Sequence, residues 1–116
     1  LGVLCNALVC LAVWMTYSAR STTDKILSIL FPITAFVAAG FEHSVANMYF
    51  IPIGLFIKYF DPTFTARLAE FAGLNLEKLT WGNFLNNLVP VTLGNIIGGA
   101  GLVALVYWLV YLRQAK

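Results

Sequence analysis

Charged residues are scarce in this 116-residue chain, and their scarcity excludes several classes of protein. Only 10% of the residues are charged, 60% are hydrophobic, and the mean hydropathy is +0.84. A water-soluble domain would lack the polar surface needed to cover itself, so we expect a bilayer as the solvent. The net charge of +2 is small and its basic residues are scattered, which argues against a nucleic-acid-binding surface.

Cysteine and histidine are also rare. The two cysteines, Cys5 and Cys10, stand five positions apart, where a helix points them to different faces, so we expect packing residues and no disulfide. A membrane electron-transfer subunit with His43 as a haem ligand is disfavoured because the chain has no second histidine for bis-histidine ligation. We predict no enzymatic activity, no catalytic residue, no metal site and no cofactor.

Three apolar segments predict an all-α membrane protein with three transmembrane segments, at residues 1–19, 26–57 and 88–112. Residues 58–87 contain three basic and three acidic residues and form the predicted external loop, with a short surface helix at residues 66–71. The chain begins inside an apolar run without a charged leader or a cleavage site. We therefore expect a membrane span there, not a signal peptide, and a chain that is the C-terminal part of a larger protein.

The middle segment is too long for one straight span. Its 32 residues, 26–57, would reach about 48 Å as helix, against a hydrocarbon core of roughly 30 Å. A break at Gly40 leaves two half-helices and places Glu42 and His43 near the bilayer midplane. Intramembrane ionisable residues on a discontinuous helix are typical of a substrate path.

Glu42 and His43 are adjacent, so on a helix they would point about 100° apart and have separate roles. We expect Glu42, Gly40 and Asn47 to support the break, and His43 to face the path, where an imidazole can protonate a weak-acid anion or attract it. Main-chain N–H groups at residues 44–47 would add to that attraction. The alternative is a structural histidine bonded to a neighbouring helix.

Three asparagines also lie in the apolar segments. Asn6, Asn47 and Asn95, with Glu42 and His43, provide more polar atoms than helix association requires, so we favour a shared polar cavity over separate structural bonds.

Small residues line the third segment at helical spacing. Gly94 and Gly98, four positions apart, predict a face on which another helix backbone packs closely.

Basic residues predict the orientation. Arg20 and Lys25 share one side of the membrane with Arg113 and Lys116, with Asp24 as the one acid. The positive-inside rule places this side, and the C-terminus, in the cytoplasm. Three further spans upstream would give a six-span, multi-pass protein with two inverted halves.

Three stretches resemble the formate/nitrite transporter family: Asn6 with LVCLAVW at 8–14, GFEHSVANM at 40–48, and PVTLGNIIGG at 90–99. The resemblance covers almost the whole chain in order and spacing. It implies half of an aquaporin-like six-span inverted-repeat protomer, assembled as a homopentamer in the bacterial inner membrane, each protomer with its own pore.

The resemblance also implies residue roles. His43 and Glu42 correspond to the family's histidine and glutamate in the interrupted fifth span, Phe36 and Val9 to apolar constrictions, and Asn6 and Asn95 to polar positions near the pore. The family's second span, which carries a threonine that partners the histidine, is absent, so these residues would not form a complete pore alone.

The expected function is passage of formate, with lipid as the surrounding partner and His43 as the group that attracts or protonates the anion. A nitrite or hydrosulfide channel of the same family is the first alternative. A structural membrane subunit without transport is the alternative from a different class.

Overall fold

The computed structural model describes residues 1–113, in which every regular element is a helix. The elements are α1 (Gly2–Met15, followed by a 3-10 turn at Thr16–Ser18), α2 (Thr22–Ala38), α3 (Ser44–Phe60), α4 (Pro62–Ala72) and α5 (Trp81–Ile96). α5 continues as π-helical Ile97–Ala104, α-helical Leu105–Tyr107 and π-helical Trp108–Leu112, so that Trp81–Leu112 is one helix, the C-terminal helix. Lys116, part of the orientation prediction, lies outside the described residues.

The chain divides into two compact units. The first contains Leu1–His43 and the chain from Pro90 onward, and therefore holds α1, α2 and the larger part of the C-terminal helix. The second is Ser44–Val89 and holds α3, α4 and the beginning of the C-terminal helix.

The predicted break in the middle segment is present, since α2 ends at Ala38 and α3 begins at Ser44. Gly40 has a φ of 64°, in the left-handed region. The Gly40 N–H donates to the Val37 carbonyl at 3.1 Å, and the Phe41 N–H donates to the Phe36 carbonyl at 3.0 Å. These two bonds form a Schellman motif, which satisfies the last carbonyls of α2 and stops the helix.

Helix starts are set by polar caps, and two helices begin before the apolar segments that we predict as membrane spans. α2 begins at Thr22, not at residue 26, because Ser21 and Asp24 form a capping box. The C-terminal helix begins at Trp81, not at residue 88, and the Thr80 hydroxyl accepts from the Asn83 N–H at 3.2 Å. Hydrophobicity indicates where a helix meets lipid, whereas the cap determines where it begins.

The predicted external loop, residues 58–87, is correspondingly shorter and more helical. Residues 58–60 belong to α3, and residues 81–87 belong to the C-terminal helix. The predicted surface helix at 66–71 is confirmed as part of α4, where Asp61 Oδ1 accepts from the Phe64 N–H at 2.8 Å and Pro62 occupies the first turn.

Lys58 organises the connection between α4 and the C-terminal helix in the second unit. Its half-buried ammonium donates to the carbonyls of Leu76 and Leu79, both at 2.8 Å. Because charge-assisted hydrogen bonds are stronger than neutral ones, one side chain holds this irregular segment against the end of α3.

In the first unit, α1 packs against the glycine-rich part of the C-terminal helix. A Cβ atom added to Gly98 would overlap the Val3 carbonyl oxygen and lie 2.8 Å from its carbon, and one added to Gly94 would lie 3.3 Å from the Val3 nitrogen. The main chain of α1 therefore lies against both glycines. Such an approach is a feature of helix pairs in membranes.

The two cysteines differ in burial, and much of the surface is apolar. Both cysteines are free; Cys5 is fully buried in α1, whereas Cys10 is half-buried. Over residues 1–113 most large apolar side chains are exposed, which is unfavourable in water. By length and composition, Trp81–Leu112 could cross a membrane, with 32 residues and a hydropathy of 1.9, while Gly2–Ser18 and Ser44–Phe60 are apolar but shorter.

Gly98→Ala should destabilise the contact between α1 and the C-terminal helix, because its new methyl group meets backbone that cannot move aside. Overpacking of this kind costs about 1–3 kcal/mol. Gly101→Ala is the matched control, since a Cβ there meets only the Ile97 side chain at 4.0 Å. Thermal unfolding of the full-length protein in detergent measures the difference; equal stability of the two variants would contradict the packing.

Gly40→Ala should be destabilising for a different reason. No atom lies within 4 Å of the position of its Cβ, so the cost is the left-handed backbone conformation alone, about 1–2 kcal/mol. Gly40→Asn should cost less, because asparagine tolerates that conformation. Gly82→Ala, also in open space but without a positive φ, is the control. If Gly40→Ala and Gly82→Ala unfold at the same temperature, this explanation is wrong.

Candidate functional site

Asn95 occupies the centre of a hydrogen-bond network in the first unit. It lies in α5 and is 5% exposed. Its side-chain nitrogen donates to the Gly2 carbonyl at 2.8 Å and to the Glu42 carbonyl at 3.1 Å. Because the amide carries two N–H groups, one side chain joins the start of α1 and the break to the C-terminal helix.

Asn6 adds a bond in the opposite direction. Its side-chain nitrogen, in α1, donates to the main-chain carbonyl of Asn95 at 2.6 Å. Asn95 is two residues before the π-helical stretch that begins at Ile97. Two predicted site residues, Asn6 and Asn95, are therefore brought together across 89 positions of sequence.

The network compensates for the loss of helical bonds at the break. Glu42 lies between α2 and α3, outside both helices. A carbonyl left without a donor in a water-poor environment costs about 1–3 kcal/mol. The Asn95 amide supplies that donor, which holds the main chain directly before His43.

His43 is half-buried at the end of the break, beside Phe36 in α2. The two ring centroids are 6.4 Å apart and the planes are tilted by 39°. One neighbour of the imidazole is therefore an apolar ring. The structure thus pairs the candidate proton-transferring residue with the residue that the family resemblance marks as a constriction.

Val9, the other candidate constriction, is half-buried in α1. It follows Asn6 by three positions, and residues so spaced are neighbours on one helix face. The polar amide and the apolar constriction candidate therefore occupy the same face of α1.

Glu42 contributes its main-chain carbonyl to the network, since this group accepts the bond from Asn95. Support of the break by its carboxylate is a separate role. That role of the carboxylate stays a prediction.

Asn47 lies in the second unit. Its side-chain nitrogen donates to Asn87 Oδ1 at 2.8 Å, which joins α3 to the C-terminal helix. Asn87 was missed by sequence reasoning because it falls in the segment predicted as a loop. Asn87 directly precedes the apolar segment that begins at residue 88 and lies one helical turn before Pro90. This proximity is the signal that would have placed it on the helix.

Within residues 1–113 there is no group of three or more histidine, cysteine, aspartate or glutamate side chains that could hold a metal ion. The groups available for chemistry at the break include the His43 imidazole, the Glu42 carboxylate, the Asn95 amide and main-chain carbonyls. Such groups bind and orient a small polar species and can move a proton.

An interrupted helix in an apolar, all-helical chain is typical of many membrane transporters. The family model described as formate/nitrite transporter matches residues 1–109. The chain belongs to the formate/nitrite transporter family.

Individual proteins similar to this chain support the same family assignment. The chain is 53% identical over 98% of its length to formate channel FocA of Escherichia coli strain K12, and 50% identical over 98% to formate channel FocB of the same strain. It is also 50% identical over 97% of its length to a probable formate transporter of Methanothermobacter thermautotrophicus. These alignments cover 40%, 41% and 35% of the relatives, so the chain spans about two fifths of their length.

The fold is shared with a solved protein. A structure described as a pentameric formate channel with formate bound matches with a TM-score of 0.78 and 50% identity, covering 96% of this chain and 44% of that one. The interrupted helical arrangement predicted from the sequence is therefore the formate channel fold over this part.

Asn95→Leu should destabilise the first unit, since leucine fills a similar volume but leaves the Glu42 and Gly2 carbonyls without their side-chain donor. The expected loss is about 1–3 kcal/mol. Asn86→Leu, exposed on the same helix, is the control and should unfold near the wild-type temperature. Calorimetry or fluorescence of the purified full-length protein measures both; wild-type stability of Asn95→Leu would exclude the network as a structural tie.

Proposed function

We propose that the protein to which this chain belongs passes formate across the bacterial inner membrane, as a homopentamer in which each protomer has its own pore. The observation that supports this proposal most strongly is the similarity to a solved structure described as a pentameric formate channel with formate bound. The formate channels among the curated relatives support the same substrate. Membership of a transporter family favours transport over a purely structural or electron-transferring subunit.

The physical difficulty in such a path is the charge of the anion. An isolated carboxylate is costly to move into an apolar environment, whereas a neutral acid costs far less. Val9 and Phe36 are apolar, so an anion reaching them would lose hydration without gaining polar partners. Protonation before or at the constriction removes most of this cost.

His43 is the group we assign to that step. In its imidazolium form it attracts formate, and transfer of one N–H proton to a carboxylate oxygen gives formic acid and neutral imidazole. Formic acid then crosses the apolar constriction and releases the proton to water on the far side, while the imidazole regains a proton from solution. The Phe36 ring and the Asn95 bond support this role, because His43 lies beside a candidate constriction and directly after a main-chain carbonyl that is bonded to the C-terminal helix.

The orientation follows from the basic residues. We propose that the turn containing Arg20 and Lys25 and the C-terminal end after Arg113 face the cytoplasm, by the positive-inside rule.

Nitrite is the second candidate substrate, because the family description names it beside formate. It is likewise a small monovalent anion of a weak acid, and so is hydrosulfide. Flux of formate, nitrite and hydrosulfide into liposomes containing the full-length protein, at two pH values, decides among them. A protein that passes nitrite or hydrosulfide much faster than formate would overturn the formate assignment.

His43→Asn should remove the pH response of transport, because asparagine keeps a similar size and hydrogen-bonding capacity but does not titrate. We expect the variant to fold, insert and retain at most a passive anion leak, with loss of proton-coupled uptake. Formate flux in liposomes, compared between an acidic and a neutral pH, measures this.

Glu42→Gln is the adjacent comparison. It keeps the main-chain carbonyl that Asn95 bonds, and by our assignment it should lower the yield of folded protein more than the selectivity. If His43→Asn shows wild-type flux and an unchanged pH profile, the histidine is structural and the proton-transfer mechanism is wrong.

A further inference from the structure

Gly99 faces the Asn6 side chain in the first unit. The glycine is buried, and a Cβ atom added to it would overlap the Asn6 side-chain nitrogen and lie 3.3 Å from its Cγ. The same nitrogen donates to the Asn95 carbonyl at 2.6 Å. The amide therefore occupies the space that any other residue at position 99 would need for its own side chain.

We propose that Gly99 is a positioning residue for the candidate path: it leaves the room in which the Asn6 amide reaches the Asn95 carbonyl. The expected effect on formate flux rests on the proposed function. The expected effect on unfolding rests only on the contacts among Gly99, Asn6 and Asn95.

The neighbouring glycine has a different role. An added methyl group at Gly98 meets the main chain of Val3, which moves only if α1 moves as a whole. At Gly99 the obstacle is the end of a side chain, which can rotate away. Gly99→Ala should therefore leave the helix packing in place and displace the Asn6 amide.

Displacement of the amide breaks a bond that joins α1 to the residue holding the break. Asn6 loses its contact to the main chain of Asn95, whose side chain bonds the Glu42 carbonyl next to His43. A net hydrogen bond of about 0.5–1.5 kcal/mol corresponds to a two- to tenfold change in rate or equilibrium. We expect a reduction of formate flux in roughly that range.

Cys10 is the second group near Gly99. Its Sγ would lie 3.1 Å from the added Cβ, so the thiol would have to shift by a few tenths of an ångström. This contact offers a competing cause for any defect of Gly99→Ala. Removal of the thiol should relieve the defect if Cys10 is responsible, whereas removal of the Asn6 amide should make Gly99→Ala harmless if our proposal is right.

The experiment is a double-mutant cycle in the full-length protein, reconstituted in liposomes for formate flux and measured in detergent for unfolding and oligomeric state. The variants are Gly99→Ala, Asn6→Ala, Asn6→Ala with Gly99→Ala, and Cys10→Ala with Gly99→Ala. Gly101→Ala is the control, since its Cβ would have open space apart from the Ile97 side chain.

We expect Gly99→Ala to lower flux two- to tenfold with unchanged oligomeric state, and to have no further effect in the Asn6→Ala background. Gly101→Ala should match wild type. The proposal is overturned if Gly99→Ala conducts like wild type, if the two effects multiply, if Cys10→Ala restores flux, or if Gly99→Ala dissociates the oligomer as a backbone clash would.

Failure of the proposed function is a separate result. If the wild type passes none of formate, nitrite and hydrosulfide, the transport assignment fails, and the unfolding temperatures decide the role of Gly99. A decrease caused by Gly99→Ala in wild type but not in Asn6→Ala supports the proposal, and equal decreases in both backgrounds refute it.

Discussion

The close approach of α1 to the glycine-rich part of the C-terminal helix is the constraint on which the rest of the first unit depends. The Val3 main chain lies where a side chain of residue 98 would be. At this separation the Asn6 amide reaches a main-chain carbonyl, and the Asn95 amide reaches the first residue of α1. A larger residue at position 98 would move all of these groups apart at once.

Glycine and asparagine therefore act together in this fold. Small residues permit backbone contact between membrane helices but specify little about register. Buried amides specify register, because each N–H must find an acceptor when water is absent. Gly98 brings the helices together, and Asn95 selects one alignment, in which its two donors meet the Gly2 and Glu42 carbonyls.

The break can exist in an apolar protein because its main-chain groups have partners. Irregular backbone at membrane depth is tolerated where protein or enclosed water satisfies it. The Schellman motif around Gly40 satisfies the end of α2, and Asn95 satisfies the Glu42 carbonyl. His43 is thereby held in a non-helical segment, where its ring is not committed to a helix face and lies beside Phe36.

Much of this could be predicted from the sequence, because the signals are local: the length of residues 26–57 required a break, Gly40 located it, and the family motifs identified the transporter. Hydrophobicity did not reveal that the C-terminal helix begins at Trp81, because residues 82–87 contain three asparagines and the helix start depends on the Thr80 cap. The bonds of Asn6 and Asn95 span 89 and 93 positions, and only the tertiary structure decided them. Periodicity and capping report on residues within a turn or two, whereas the choice of a distant carbonyl depends on how closely two helices pack.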